Sequence, residues 1–271
     1  MTKTRKTSIR LSVIIIILST IASMGGIFIK DLYQDNFLVT SGWYGNDFVT
    51  LFLAVPMLAI SLMLSKRGSQ RAQLVLLGMF FYTLYNYAFY LFGAAFNSLF
   101  LIYVALFTLS IYTLIFGVSS LNLKVVTDQF SSKTPTKIIS GYMIIVSVLL
   151  GAFHVSLSLK YVFTGQIPEF LILLDKSTNI ISALDLSLTV SLGLLGAFWL
   201  WKRQQWGYVV AVIWNVKSFV YLSALSATTF WGFKTGASES IIELTLWVPI
   251  AAGCLISSIL LLKNMKTLNK Q

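Results

Sequence analysis

Three residues combine reactive side chains with apolar surroundings. Lys217 sits near the middle of the apolar stretch Gly207 to Thr229, and His154 and Asp185 fall inside two other such stretches. A lone ammonium at the centre of a bilayer costs at least ~3 kcal/mol unless it is paired or hydrated. A lysine, a carboxylate and the chain's one histidine are the components of a buried ion pair or of a proton-transfer site. Two readings fit: a Lys217–Asp185 pair that fixes helix register, or a proton- or substrate-binding site, which is the default expectation for ionisable groups inside a membrane. His154 taken alone needs only to donate a hydrogen bond to a carbonyl.

These residues are positioned by long apolar helices. The chain has 271 residues, 57% of them apolar and 11% charged, whereas soluble domains carry about 25% charged residues. That places it in the membrane class. Eight stretches are long enough to span the hydrocarbon: 10–29, 47–64, 73–92, 99–118, 138–159, 179–201, 207–229 and 241–262. They are continuous rather than alternating, which excludes barrel strands. The expected fold is an all-α polytopic bundle of eight helices. Leu11 to Ile29 is too long for a signal-peptide core, and Ala22-Ser23-Met24 is a poor cleavage site, so the first helix is read as retained.

At 1.5 Å per residue, Asp185 is expected ~9 Å and His154 ~8 Å below the outer surface. Lys217 is expected ~18 Å down, with a stem that lifts its ammonium by ~6 Å, so all three reach one level. Asn215 and Tyr221 of the same helix complete a polar shell.

Net charge is +11, but the basic residues cluster in short loops, which reads as topology control rather than nucleic-acid binding. Fifteen of them fall on the side shared by both termini: Lys3, Arg5, Lys6, Arg10, Lys66, Arg67, Arg71, Lys124, Lys133, Lys137, Lys202, Arg203, Lys263, Lys266 and Lys270. Lys30, Lys160, Lys176 and Lys234 fall opposite, so the termini are expected in the cytoplasm. Asp31, Asp35, Asp47, Glu169, Asp175, Glu239 and Glu243 make the outer mouth acidic. Asp47 and Glu243 begin their helices in this reading, and capping is their expected role. The segment 131–136 reads as a joint between four-helix halves, 1–130 and 137–271, each with a tight basic turn, Lys66-Arg67 and Lys202-Arg203.

A second polar group lies on the third helix. Tyr82, Asn86 and Tyr90 are four apart and share one face, which Gly93 and Asn97 continue; Tyr103, Phe107 and Ser110 answer from the fourth. The face is a polar cleft or a set of interhelical hydrogen bonds worth about 0.6–2 kcal/mol each. On the sixth helix Thr189, Gly193 and Ala197 form a small-residue face for close packing. Pro56 and Pro249 are expected to kink the second and eighth helices.

Two stretches carry a resemblance. One runs from Gly45-Asn46-Asp47 through Pro56 to Lys66-Arg67-Gly68-Ser69. The other is Tyr85-Asn86-Tyr87-Ala88-Phe89-Tyr90, then Gly93-Ala94-Ala95-Phe96-Asn97 and Leu99-Phe100-Leu101-Ile102-Tyr103-Val104. Over residues 45–110 the chain resembles a group of bacterial multi-pass membrane proteins with no assigned activity. The resemblance implies a bacterial inner-membrane protein and draws attention to Asp47, Asn86 and Asn97.

The chain lacks an HExxH pair, a cysteine pair, a GxSxG nucleophile and an acidic metal cluster, so an embedded enzyme ranks low. The residues around Lys217 do not resemble retinal-binding lysine motifs, and no cofactor or metal is expected. The leading expectation is a small-molecule or ion transporter, with proton coupling as one form of it, whose candidate residues are Lys217, Asp185, His154, Asn86, Tyr82, Tyr90 and Asn215. The alternative is a sensor or a subunit that binds a membrane partner.

The topology is testable with Cys254→Ala as background. On right-side-out vesicles an impermeant maleimide should label Ser238→Cys and spare Ser132→Cys; the opposite pattern inverts the orientation.

Overall fold

The computed structural model describes residues 3–266. Lys270 and the side chain of Lys3 lie outside the described part. Among the described residues there is no β-strand, only an isolated bridge between Phe130 and Met265. Eight helices are long and apolar enough to cross a membrane: Thr4–Phe28, Phe37–Lys66, Gln70–Gly93, Phe100–Ser119, Thr136–Thr164, Ile180–Trp201, Gln205–Lys234 and Leu244–Lys263. The protein is a polytopic helical membrane bundle. The first helix starts and the last helix ends on the same face. There Arg5 donates to the Ser65 carbonyl at 2.8 Å, and Arg71 donates to the Met265 carbonyl.

The largest departure from the expected spans is at the second helix, which begins ten residues early, at Phe37. Its first turns contain Thr40, Ser41, Asn46 and Asp47, which lower the hydropathy of the stretch but face protein instead of water. Asn36 caps it, accepting from the Val39 amide at 3.0 Å. Asp47 is therefore not a cap; it lies inside the helix, buried. Glu243 does precede the eighth helix, but its carboxylate accepts from the Thr229 hydroxyl at 3.2 Å and makes no side-chain cap. The fifth helix runs on to Thr164 and stops at Gly165, whose φ of 70° suits glycine.

The third and seventh helices form the centre. The third packs on the second, fourth and seventh, and the seventh packs on the second, third, sixth and eighth. Lipid tails offer no hydrophobic gain for helix association, so close approach of small residues takes over. A Cβ on Gly45 would lie 2.6 Å from the Ala227 carbonyl of the seventh helix, and one on Gly78 would lie 2.7 Å from Val216. The small-residue face of the sixth helix works likewise. Gly193 lies against Trp214, whose indole donates to the Thr189 carbonyl at 2.8 Å.

The second and sixth helices each contain a π-helical segment, Thr50–Ala54 and Asp185–Val190. Pro56 follows the first closely, while Pro249 lies within the α-helical eighth helix. The π-helical segments matter because the buried acids stand beside them: Asp47 one turn before the first, Asp185 opening the second.

Gly45→Ala should cost ~1–3 kcal/mol, because the Ala227 backbone cannot yield. Gly141→Ala, whose Cβ meets nothing within 4 Å, should change stability by less than ~1 kcal/mol. Thermal unfolding in detergent compares the two; equal losses would contradict this packing.

Candidate functional site

The polar residues of the third helix point two ways. Tyr85 faces the sixth and seventh helices; Tyr82, Asn86 and Tyr90 face the second. The candidate residues fall into two clusters with the third helix between them.

In the first cluster, Asp185 accepts from both sides. His154 Nε2 lies 3.0 Å from its Oδ2, and the Tyr85 hydroxyl donates to its Oδ1. The other imidazole nitrogen, Nδ1, is 2.8 Å from the Ser182 hydroxyl. Ser182, three residues into the sixth helix on the side away from the termini, starts a hydrogen-bond chain. It runs through His154 and Asp185 to Tyr85. All four residues are buried.

Lys217 joins this chain differently from the direct ion pair considered above. The ion pairs closer than 4 Å among the described residues are His154–Asp185 and Lys176–Asp35. The Lys217 ammonium donates to the Thr189 hydroxyl at 2.8 Å and lies 3.4 Å from the centre of the Tyr85 ring, with Tyr221 at 4.9 Å. Tyr85 separates the two charges: its hydroxyl binds the acid while its π-face meets the ammonium. Tyr221 completes this shell, packed edge-on against Tyr85 at 4.7 Å. Asn215 does not join it. Its amide nitrogen bonds the Ala211 carbonyl one turn back at 2.8 Å. His154 is also farther from the end of its helix than expected, ten residues before Thr164, or ~15 Å along the axis.

The second cluster is centred on Asp47. The hydroxyls of Tyr33 and Tyr90 donate to it, the latter at 2.8 Å. Asn46 donates to Asn86 Oδ1 at 2.9 Å and to Tyr90 at 3.0 Å. Thr50 and Tyr82 share a bond at 2.9 Å. Asn46, Asp47 and Thr50 fall on one helical face at spacings of three and four. That spacing was available in the sequence but hidden by starting the helix at Asp47. Tyr33 comes from the loop before the second helix, and burial raises its hydroxyl well above the ordinary tyrosine range, so it stays a donor.

On the side away from the termini the loops over both clusters are tied down. Asp35 accepts from Lys176 at 2.6 Å and from the Trp43 indole at 3.0 Å, and the Ala95 amide lies 3.1 Å away. Asn36 donates to the Leu173 carbonyl at 2.9 Å. A pocket of about 210 Å³ opens here, lined in part by Asp35, Gly93, Asp175 and Lys176. Asn97 binds locally, accepting from the Leu99 amide at 3.0 Å.

No protein-family model, curated protein or solved structure matches the chain. The multi-pass architecture implied by the resemblance over residues 45–110 is present in the fold.

A double-mutant cycle on His154→Gln and Asp185→Asn should give a coupling of about 1–3 kcal/mol in thermal unfolding. A cycle on Lys217→Met and Asp185→Asn should give less, because Tyr85 stands between the charges. Equal or larger coupling for the lysine pair would mean that the ammonium and the carboxylate pair directly.

Proposed function

We propose that the protein is a proton-coupled transporter of a small molecule or ion in a bacterial inner membrane, with the Asp185 cluster as its proton site. The supporting observation is the chain Ser182–His154–Asp185–Tyr85, which leads inward from the outer end of the sixth helix and ends with the Tyr85 ring against Lys217. Each link is a group that can both give and take a proton. Histidine is the side chain whose ordinary titration range spans neutral pH. Protonating His154 turns its hydrogen bond to Asp185 into an ion pair, and that change of charge favours a rearranged packing of the fifth, sixth and seventh helices. Asp185 opens a π-helical segment, a feature frequent at functional sites.

The proposal divides the chain into two four-helix halves, 1–130 and 137–271. It draws support from the recurrence in each half of a buried aspartate beside a π-helical segment in its second helix. In parallel repeats of this kind substrate sites lie at the interface. Lys217, Asp185 and His154 belong to the second half, while Tyr85 comes from the first. The alternative of a sensor or partner-binding subunit gives the relay no role.

Proteoliposomes with a pH dye inside provide the test. With an inward proton gradient and a panel of amino acids, sugars, organic cations and organic anions outside, at least one solute should accelerate acidification tenfold or more over empty vesicles. Asp185→Asn and His154→Gln should abolish the acceleration. A wild-type protein that never exceeds empty vesicles would count against transport.

A further inference from the structure

Three aspartates have buried carboxylates: Asp35, Asp47 and Asp185. Two have basic partners, Lys176 at 2.6 Å and His154 at 3.0 Å. Asp47 differs. Among the described residues no lysine, arginine or histidine nitrogen lies within 4 Å of it. The groups that face it are the tyrosines 33, 82, 87, 90 and 103, none of which supplies a countercharge. Only 3% of Asp47 is exposed, so water does not solvate it. An ionised carboxylate buried without a cation is among the costliest arrangements in a protein. Asp47 has to be neutralised by something other than a side chain.

The surroundings suit a small cation. Neutral oxygens converge on the carboxylate: the hydroxyls of Tyr33 and Tyr90 bond it, and Asn46 and Thr50 share its helical face. The Asn46 side-chain oxygen is buried and has no donor. Carboxylate, amide-carbonyl and hydroxyl oxygens are the ligands that hard cations prefer. The space is also fitted to the acid. Gly26 of the first helix presses on it so closely that a Cβ there would overlap Asp47 Oδ2. No bulky organic ammonium fits beside that contact.

We propose that Asp47, with Asn46, Tyr33 and Tyr90, forms a buried binding site for one monovalent cation, a proton or Na⁺, separate from the Asp185 relay. The site does not rest on the transport reading, since charge neutrality requires it in any membrane protein with this interior.

Two measurements on purified protein test it. Infrared difference spectra between wild type and Asp47→Asn at neutral pH report a protonated carboxylic acid. Thermal unfolding in NaCl against choline chloride at equal ionic strength reports sodium. A protonated-acid band missing in Asp47→Asn but kept in Asp185→Asn identifies the proton. A sodium-specific rise in the unfolding temperature, absent in Asp47→Asn, identifies Na⁺. If Asp47→Asn does not fold, Tyr90→Phe serves: it should shift the band or weaken the sodium effect. Neither a band nor a sodium effect in the wild type would overturn the proposal, and it would leave the Asp185 relay untouched.

Discussion

A polar group surrounded by hydrocarbon must find its partner within the protein, because the solvent there offers none. The arrangement of this bundle follows from that constraint. The third helix carries six polar side chains from Tyr82 to Tyr90, too many for one face, so protein must enclose it on both sides. The second and fourth helices pack against it, and so do the seventh and the start of the sixth. The most polar span is accordingly the most enclosed, with 78% of its apolar window buried against 28% for the fourth and eighth spans.

The two sides meet this demand differently. Beside Asp185 there is a basic partner, and the lysine of the seventh helix is balanced through an intervening aromatic ring. Beside Asp47 there are only phenols and amides. Asp185 has a countercharge within reach whenever His154 holds a proton, whereas a carboxylate among neutral donors depends on what binds it. The same fold therefore holds one acid with internal compensation and one without, on opposite faces of a single helix. Over both, the Asp35–Lys176 bond and the Asn36–Leu173 contact fasten the loops on the side away from the termini, so access from that side requires those ties to open.

The fold class and the span count were legible from hydropathy, because hydropathy measures the transfer that sorts these segments into a membrane. What hydropathy hides is a polar helical turn that faces protein. The first turns of the second helix look like loop, and Asp47 was misread as a cap for that reason. Lys217, Asp185 and His154 stood out because ionisable groups are rare in such stretches, and they do gather in one place. Their connectivity was not legible. Choosing Tyr85 as the spacer depends on the rotation of the third helix about its axis, and period alone gives faces without saying which neighbour each one meets. Asn215 shows the limit: it sits two residues from Lys217, yet it turns back to bond its own helix.

The π-helical segments carry a consequence for how such chains are compared. A π-turn accommodates one residue more than an α-turn, so the helix beyond it is out of phase by ~100°. A helical wheel drawn straight through the second helix assigns wrong faces to everything after Thr50, and one through the sixth fails after Asp185. The two π-segments sit at different distances from their acids, Asp47 three residues before one and Asp185 at the first residue of the other. A single wheel phase therefore cannot serve both helices, and sequence periodicity compares them poorly even where their backbones follow the same course.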